Sequence, residues 1–308
     1  MPKDDITPPQ PMITRFAPSP TGLLHLGHLF SAWVAQYLAD DGHYHVRIED
    51  IDQTRARPEF YTAIEHDLKL LHLDSGKPYR IQSQHHFLQQ WGLEQLKKLG
   101  LLYPCFCSRK DILSVVQAPQ EGDPAQSVYP GTCRHLHASQ VEDLRAAGKT
   151  PAWRLDINKA MMTYEHLDFY EWGTPTVGPS GHIQISRTTM VRTLGDVILA
   201  RKDIGISYHL AVILCDAAQN ISLVSRGQDL FLTTPIQVLL QKLLQLPTPH
   251  YFHHALVRDQ NAQRLAKRHQ AQALQDIIAK QQSTTDIWRP ITALMEKTKP
   301  IMDRVKAL

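Results

Sequence analysis

Two groups of residues in this 308-residue chain have types and spacings suited to chemistry. The first is Arg15-Phe16-Ala17-Pro18-Ser19-Pro20-Thr21-Gly22-Leu23-Leu24-His25-Leu26-Gly27-His28. His25 and His28 stand three apart, so on a helix their imidazoles share a face and can donate to one phosphate. A helix that begins near His25 turns its unbonded N–H groups and positive dipole end toward an anion. Pro18 and Pro20 stiffen the approach, and Gly22 permits a tight turn. Gly27 has no side chain, which leaves room for adenine or ribose against the backbone. A lone His-x-x-His also suits half a metal site or two solvated histidines. The eight residues from Arg15 to Gly22 tip the balance toward a phosphate cradle, because a zinc helix has no need of them.

The second group is Cys105-Phe106-Cys107 with Cys133. Three crowded thiols suit a metal site in a reducing cytosol better than a disulfide framework. They are too few for a four-cysteine site, so a fourth ligand must come from elsewhere. On ordinary zinc chemistry His135 and His137 are candidates. A closed shell with several thiolates makes such a metal structural. The remaining cysteine, Cys215, lies in an apolar run and reads as core.

Elements must position these groups. Ile13–Phe16 reads as a short buried strand and Ala17–Gly22 as a loop. Leu26–Leu38 carries apolar residues at helical spacing, with Gly42 as a stop. His45–Ile48 is a second strand that ends at Glu49 and Asp50. Pro58 opens a helix bearing Ile64, Leu68 and Leu71, and His85–Leu99 is another. This strand–helix alternation signals a parallel α/β sheet. Residues 103–137 are rich in turns. Ala152–Ile157, Val197–Ala200, Ser207–Leu214 and Ile221–Ser225 read as strands, with a turn at Asp203–Gly205. Thr234-Pro235 opens a helix through Leu244. His253–Val257 reads as a last strand, followed by a basic loop, Arg258–His269. Three short helices are expected after it: Ala271–Gln281, Thr285–Met295 and Ile301–Leu308.

Bulk composition narrows the class. Hydrophobic residues make up 43% and charged residues 20%, so the chain can bury a core. Its length suits about two domains, or one large domain with an insert. The net charge of +3 is mild, but a local basic surface can still meet an anionic partner. The proline-rich start lacks the apolar core of a secretion signal, and no apolar run is long enough for a bilayer span. A cytoplasmic protein is expected.

The ordered motifs resemble the class I aminoacyl-tRNA synthetases, in the form used by the glutamyl branch. His25-Leu26-Gly27-His28 is similar to that family's His-Ile-Gly-His signature. Arg47-Ile48-Glu49-Asp50-Ile51-Asp52, Tyr208-His209-Leu210-Ala211-Val212 and Val224-Ser225-Arg226-Gly227-Gln228-Asp229-Leu230 match the same branch. The resemblance runs from about residue 13 to 270. It implies a Rossmann-like α/β catalytic domain with a parallel sheet, a zinc-bearing insertion and a short helical C-terminal region. The implied division is a leader (1–12), two catalytic halves (13–102 and 196–257), the insertion between them (103–195), and the signature loop with C-terminal helices (258–308).

The resemblance also implies roles. Residues Arg15, Phe16, Ala17, Pro18 and Ser19 line the pocket for glutamate and ATP. Glu49 holds the substrate's α-ammonium, and Tyr208 and Arg226 complete the pocket. An arginine fork suits the side-chain carboxylate, with Arg15 and Arg226 both open for that part. His25 and His28 act in catalysis, with Gly27 beside the bound ATP. Arg264-Leu265-Ala266-Lys267-Arg268 stands where the family has its Lys-Met-Ser-Lys-Ser loop. Lys267 keeps the charge that bridges the ATP phosphates, while Ala266 lacks the usual hydroxyl. Taken singly, Glu49 could merely pair with Arg47, Tyr208 be an ordinary strand residue and Arg226 a surface charge.

A short, zinc-bearing subfamily uses Cys-x-Cys followed by Tyr-x-x-x-Cys, which makes Tyr129 the implied fourth ligand beside Cys105, Cys107 and Cys133. Its members activate glutamate without tRNA and pass it to queuosine at the wobble base of tRNA(Asp). The sequence stops at Leu308, so no anticodon-binding region is expected, and Arg187, Arg192, Arg201 and Lys202 are candidate phosphate contacts. ATP with Mg²⁺, structural Zn²⁺, queuosine-bearing tRNA(Asp), a monomer and no membrane partner are the resulting expectations. Three alternatives remain: a truncated synthetase that charges an acceptor end, an inactive RNA-binding homologue, and a small-molecule adenylyltransferase. Arg47–Asp52 and Arg226–Asp229 speak against the last.

Overall fold

The computed structural model describes residues 7–108, 111, 128–201, 205–258, 273–280 and 284–308. Its first sheet is parallel. β1 (Thr14–Phe16) is wholly buried and pairs with β2 (Tyr44–Ile48), which pairs in turn with β3 (Arg80–Ile81). α1 (Leu26–Leu38) crosses from β1 to β2 and buries Leu29, Phe30, Val34 and Leu38 on one side. α2 (Pro58–Leu70) opens on a proline, whose missing N–H is no loss in a first turn. α3 (His86–Lys98) follows β3.

Among the described residues six strands come next: β4 (Leu102–Cys105), β5 (Ala152–Leu155), β6 (His166–Glu171), β7 (Gly181–Ser186), β8 (Ile198–Arg201) and β9 (Gly205–Ile206). β4, β5, β8 and β9 form an antiparallel sheet in that order. β6 and β7 form an antiparallel pair.

The chain then returns. β10 (Leu223–Gly227) and β11 (His250–His254) are parallel, joined by the helix Thr234–Leu243. The Ser222 and Leu223 N–H groups both donate to the Ile13 carbonyl, at 3.0 and 3.1 Å, which sets β10 beside β1. The parallel order is therefore β3-β2-β1-β10-β11, with β6 and β7 extending it beyond β11. Such a sheet changes its winding direction between β1 and β10, where doubly wound sheets bind ligands. One apolar core packs Phe30, Leu38 and Leu68 with Met302 and Val305 of the last helix. The other packs Leu210, Leu214 and Leu239 with Leu167 and Ile183. Among the described residues no helix is long and apolar enough to cross a membrane.

The expected α/β class and parallel sheet are present, but several elements differ. Ser207–Leu214 reads as a strand in the sequence, whereas Tyr208–Ala218 is a helix in the structure. Its residues from Leu210 to Asp216 are all buried, so the apolar run hides its period. The last parallel strand is His250–His254, three residues earlier than expected. Two of the three short C-terminal helices also shift. Thr284–Trp288 is followed by a 3₁₀ turn, and Thr292–Lys306 is one helix that contains Pro300. The sequence reading has no β6–β7 pair: Leu167 and Phe169 alternate with the outward His166 and Asp168, but a glutamate at the next inward position, Glu171, cuts the pattern short. The turn at Asp203 and most of the Arg258–His269 loop lie outside the described residues.

Candidate active site

A cleft of about 740 Å³ opens at the carboxyl ends of the parallel strands. β1 brings Arg15 and Phe16 to it, the end of β2 brings Glu49, and β10 brings Arg226. The loop after β1 is pinned in place. Thr21 N–H donates to the Ser19 carbonyl at 2.9 Å, a three-residue turn centred on Pro20. Glu49 N–H donates to the Pro18 carbonyl at 2.9 Å, and Arg57 N–H to the Pro20 carbonyl at 3.2 Å. Ala17, Pro18 and Ser19 thus line the cleft.

His25 caps α1 with an extended backbone, and both histidines line the cleft. Its Nδ1 accepts from Gly27 N–H at 3.0 Å, while His28 Nδ1 accepts from His25 N–H at 3.2 Å. The two ring centroids lie 3.8 Å apart. A ring nitrogen that accepts from a backbone amide carries no proton, so each neutral imidazole holds its hydrogen on Nε2. Both rings are thereby fixed as Nε2 donors. A Cβ on Gly27 would lie 2.9 Å from His25 Cε1, so the missing side chain makes way first for the His25 ring.

The floor of the cleft is a buried charge lattice. Asp216, on the Tyr208–Ala218 helix, accepts from Arg15 Nε at 2.9 Å and from Arg47 Nη1 at 2.7 Å. Arg47 also donates to Glu49 at 2.9 Å, and Arg15 to the Ser225 carbonyl at 3.1 Å. Burial opposes ionisation of Asp216, but Arg15 and Arg47 together overcome it and hold the carboxyl below its usual range. Glu49 therefore both pairs with Arg47 and lines the cleft. Tyr208 lines it too, in the helix's first turn, and burial raises its phenol.

Arg226 is buried, not a surface charge. Its Nε donates to His253 Nε2 at 3.0 Å, Nη1 to Gln237 Oε1 at 2.7 Å and Nη2 to Thr234 Oγ1 at 2.9 Å. Among the described residues none of its hydrogen-bond partners is a carboxylate. Behind it, His253 Nδ1 and Glu171 Oε2 are 2.5 Å apart. Burial lowers the His253 pKa, with Glu171 opposing and Arg226 reinforcing the shift. Sequence reasoning did not single out Asp216, Glu171 or His253. An acidic residue inside the apolar run of a helix was the only signal for Asp216, and Glu171 offered none.

The cysteine cluster lies apart from the cleft, between β4 and the segment before Ala138. The Sγ atoms of Cys105, Cys107 and Cys133 lie within 4.8 Å of one another. Tyr129 Oη is 3.4 Å from Cys105 Sγ and 3.5 Å from Cys107 Sγ, and Cys107 and Cys133 are 3.5 Å apart. A tetrahedral zinc with Zn–S near 2.3 Å and Zn–O near 2.0 Å sets S···S at about 3.8 Å and S···O at about 3.5 Å. The donor set therefore fits such an ion. His135 and His137 are not part of this group, and His137 instead heads the helix Ala138–Ala146, its N–H donating to Gln140. Arg154 stacks 3.7 Å over the Tyr129 ring and donates to Cys105 Sγ at 3.3 Å. Burial disfavours the Cys105 thiolate, but hydrogen bonds with Tyr129 and Arg154 outweigh it and hold the thiol below its usual range. Cys215 is buried, though in a helix and not a strand.

Lys267 and the rest of Arg264–Arg268 lie outside the described residues, as does Lys202. Arg187, Arg192 and Arg201 are exposed. Residues 11–287 match the family described as tRNA synthetases class I (E and Q), catalytic domain. The chain is 45% identical to a glutamyl-Q tRNA(Asp) synthetase of Rhodobacter capsulatus over 287 residues, covering 91% of this chain and 99% of that one. It is 36% identical to the enzyme of that name from Neisseria meningitidis serogroup B, covering 89% and 86%. Among solved structures, a glutamate tRNA ligase from Elizabethkingia meningosepticum aligns with a TM-score of 0.65 at 22% identity, over 84% of this chain. This chain spans 52% of that one, so that likeness bears on the fold alone. A parallel sheet of order β3-β2-β1-β10-β11, with a paired-histidine helix cap at its switch point, is thus accounted for: the chain belongs to the class I tRNA synthetase family of the glutamyl and glutaminyl branch.

Proposed function

We propose that this protein activates L-glutamate with ATP as glutamyl-adenylate and transfers it to the queuosine base at the wobble position of tRNA(Asp). What supports the reading most is the pairing of two unlike groups in one cleft. Glu49 offers a carboxylate for an α-ammonium, and Arg226 is a buried cation with no carboxylate partner among the described residues. Arg15 is already committed to Asp216, so Arg226 takes the substrate's side-chain carboxylate and Arg15 supports the pocket. The curated relatives' shared name supports the choice of acceptor.

In the first step a carboxylate oxygen of glutamate attacks the α-phosphorus of ATP, and pyrophosphate leaves. His25 and His28 donate from Nε2 to phosphate oxygens as negative charge builds there. Lys267 contributes the further positive charge, and Mg²⁺ accompanies the nucleotide. In the second step a hydroxyl of the queuosine cyclopentenediol attacks the activated carbonyl, and AMP leaves. Cys105, Cys107, Tyr129 and Cys133 hold a structural zinc. Residues 103–195 serve as the insertion between the two catalytic halves.

The test is glutamate-dependent ATP–pyrophosphate exchange without tRNA, expected to proceed. Labelled glutamate is then expected on tRNA(Asp) only when queuosine is present. Labelling that ignores queuosine would favour the acceptor-end alternative. No exchange from folded, metal-loaded protein would favour an inactive RNA-binding homologue.

A further inference from the structure

We infer that Glu171 and His253 form a positioning relay that fixes Arg226 for the substrate carboxylate, so that β6 helps to set amino-acid selectivity. The inference rests on the assignment of Arg226 to the glutamate side chain and extends it to residues outside the cleft.

The relay is a chain of three buried side chains on three strands: Glu171 closes β6, His253 lies in β11 and Arg226 in β10. The Glu171 and His253 side chains are both fully buried. Glu171 is firmly held. Its Oε1 accepts from His253 N–H and Gly173 N–H, each at 2.8 Å, and its Oε2 meets His253 Nδ1. A Cβ on Gly173 would lie 2.4 Å from the His253 carbonyl, so only glycine lets the chain pass here.

The hydrogen-bond directions follow from chemistry. The Arg226 guanidinium has donors only, so His253 Nε2 must accept from it. The histidine's single proton is then on Nδ1 and points at Glu171. A neutral imidazole thus stands between a carboxylate and a guanidinium. The carboxylate steadies the arginine's charge without touching it. An ion pair made directly with Arg226 would compete with substrate for the same N–H groups. Set one ring away, Glu171 leaves them available.

Arg226 has five N–H bonds, and three are used by His253, Gln237 and Thr234. The remaining hydrogens on Nη1 and Nη2 lie in the fixed plane of the fork. A guanidinium that donates to both oxygens of a carboxylate suits it better than a neutral amide, which offers one oxygen. Rotation of the plane would blur that choice, and the relay opposes rotation at Nε.

Glu171→Gln and His253→Gln test the inference, because each keeps volume and a hydrogen-bonding end. Steady-state pyrophosphate exchange reads the KM for glutamate and for ATP separately. We expect Glu171→Gln to raise the glutamate KM about tenfold, on the scale of a lost charge-assisted hydrogen bond, with the ATP KM unchanged. The preference for glutamate over glutamine should fall in the same variant. The double variant should be little worse than His253→Gln alone, because Glu171 acts through His253. An unchanged glutamate KM overturns the inference. So does a matched rise in both KM values with a lowered melting temperature, which marks a merely structural pair. If the parent protein shows no exchange, the activity reading fails by itself. Calorimetric glutamate binding to parent and Glu171→Gln then decides the relay, and equal affinities overturn it.

Discussion

His25 and His28 carry the most direct prediction at the level of single side chains. Each ring uses Nδ1 for the helix cap and keeps its hydrogen on Nε2, and both rings line the cleft. His28→Ala removes one donor and loosens the cap at once. It is expected to lower pyrophosphate exchange by about a hundredfold, the scale reported for a single lost transition-state donor. Lys267→Ala should be comparably damaging, and near-normal exchange in both variants would contradict these roles. The spacing of His25, Gly27 and His28 was legible because helical geometry is local and repeats every 3.6 residues. Asp216 was not legible in the same way. Its meaning depends on Arg15, 201 positions away, and no local pattern links the two. Glu171 and His253 share that difficulty, since strand order decides which distant side chains meet.

Elements with strong local punctuation were readable. α1 starts at its histidine cap, and α2 and the helix Thr234–Leu243 each carry a proline in the first turn, although Thr234 is the first helical residue of the latter and not its cap. Elements whose period is hidden by uniform burial were not, as the helix Tyr208–Ala218 illustrates. The β4–β5–β8–β9 sheet belongs to this scale because one of its edges carries the cysteines. Cys105 ends β4, and Arg154 of β5 lies against it. Three thiolates, a phenolate and Zn²⁺ would sum to −2, and Arg154 offsets part of that charge in a buried place. Elemental analysis should find one zinc per chain. Arg154→Met should weaken zinc retention against a chelator by about ten- to a hundredfold, as loss of outer-shell support does at metal sites. Full retention would show that the arginine is only packed there, and a zinc-free native protein would remove the metal altogether.

For the whole molecule, buried neutral histidines set a pH dependence. Burial lowers His254 and His209 to about 4 from an ordinary 6.5, with Arg226 adding to the shift at His209. Unfolded, they take up protons near pH 6.5, whereas the folded protein resists until about pH 4. The unfolded chain therefore binds more protons in that window, and stability drops as pH falls through it. The slope is about 1.4 kcal/mol per pH unit for each histidine once well inside the window. Asp216 acts lower down, adding stability that is lost as pH falls beneath its usual 3.8. The urea midpoint should be lower at pH 5 than at pH 7, and His254→Leu should flatten the difference; a midpoint independent of pH would count against this account. The Asp216 lattice has one more effect, in the time domain of synthesis. Arg15 and Arg47 leave the ribosome early, but the Asp216 carboxylate that bridges them arrives some 170 to 200 residues later. Until then Arg47 has Glu49 beside it, but the Arg15 guanidinium lacks the carboxylate it pairs with in the folded protein. A cleft floored by Asp216 and walled by Arg226 is thus complete only in a nascent chain that has emerged past both the helix Tyr208–Ala218 and β10.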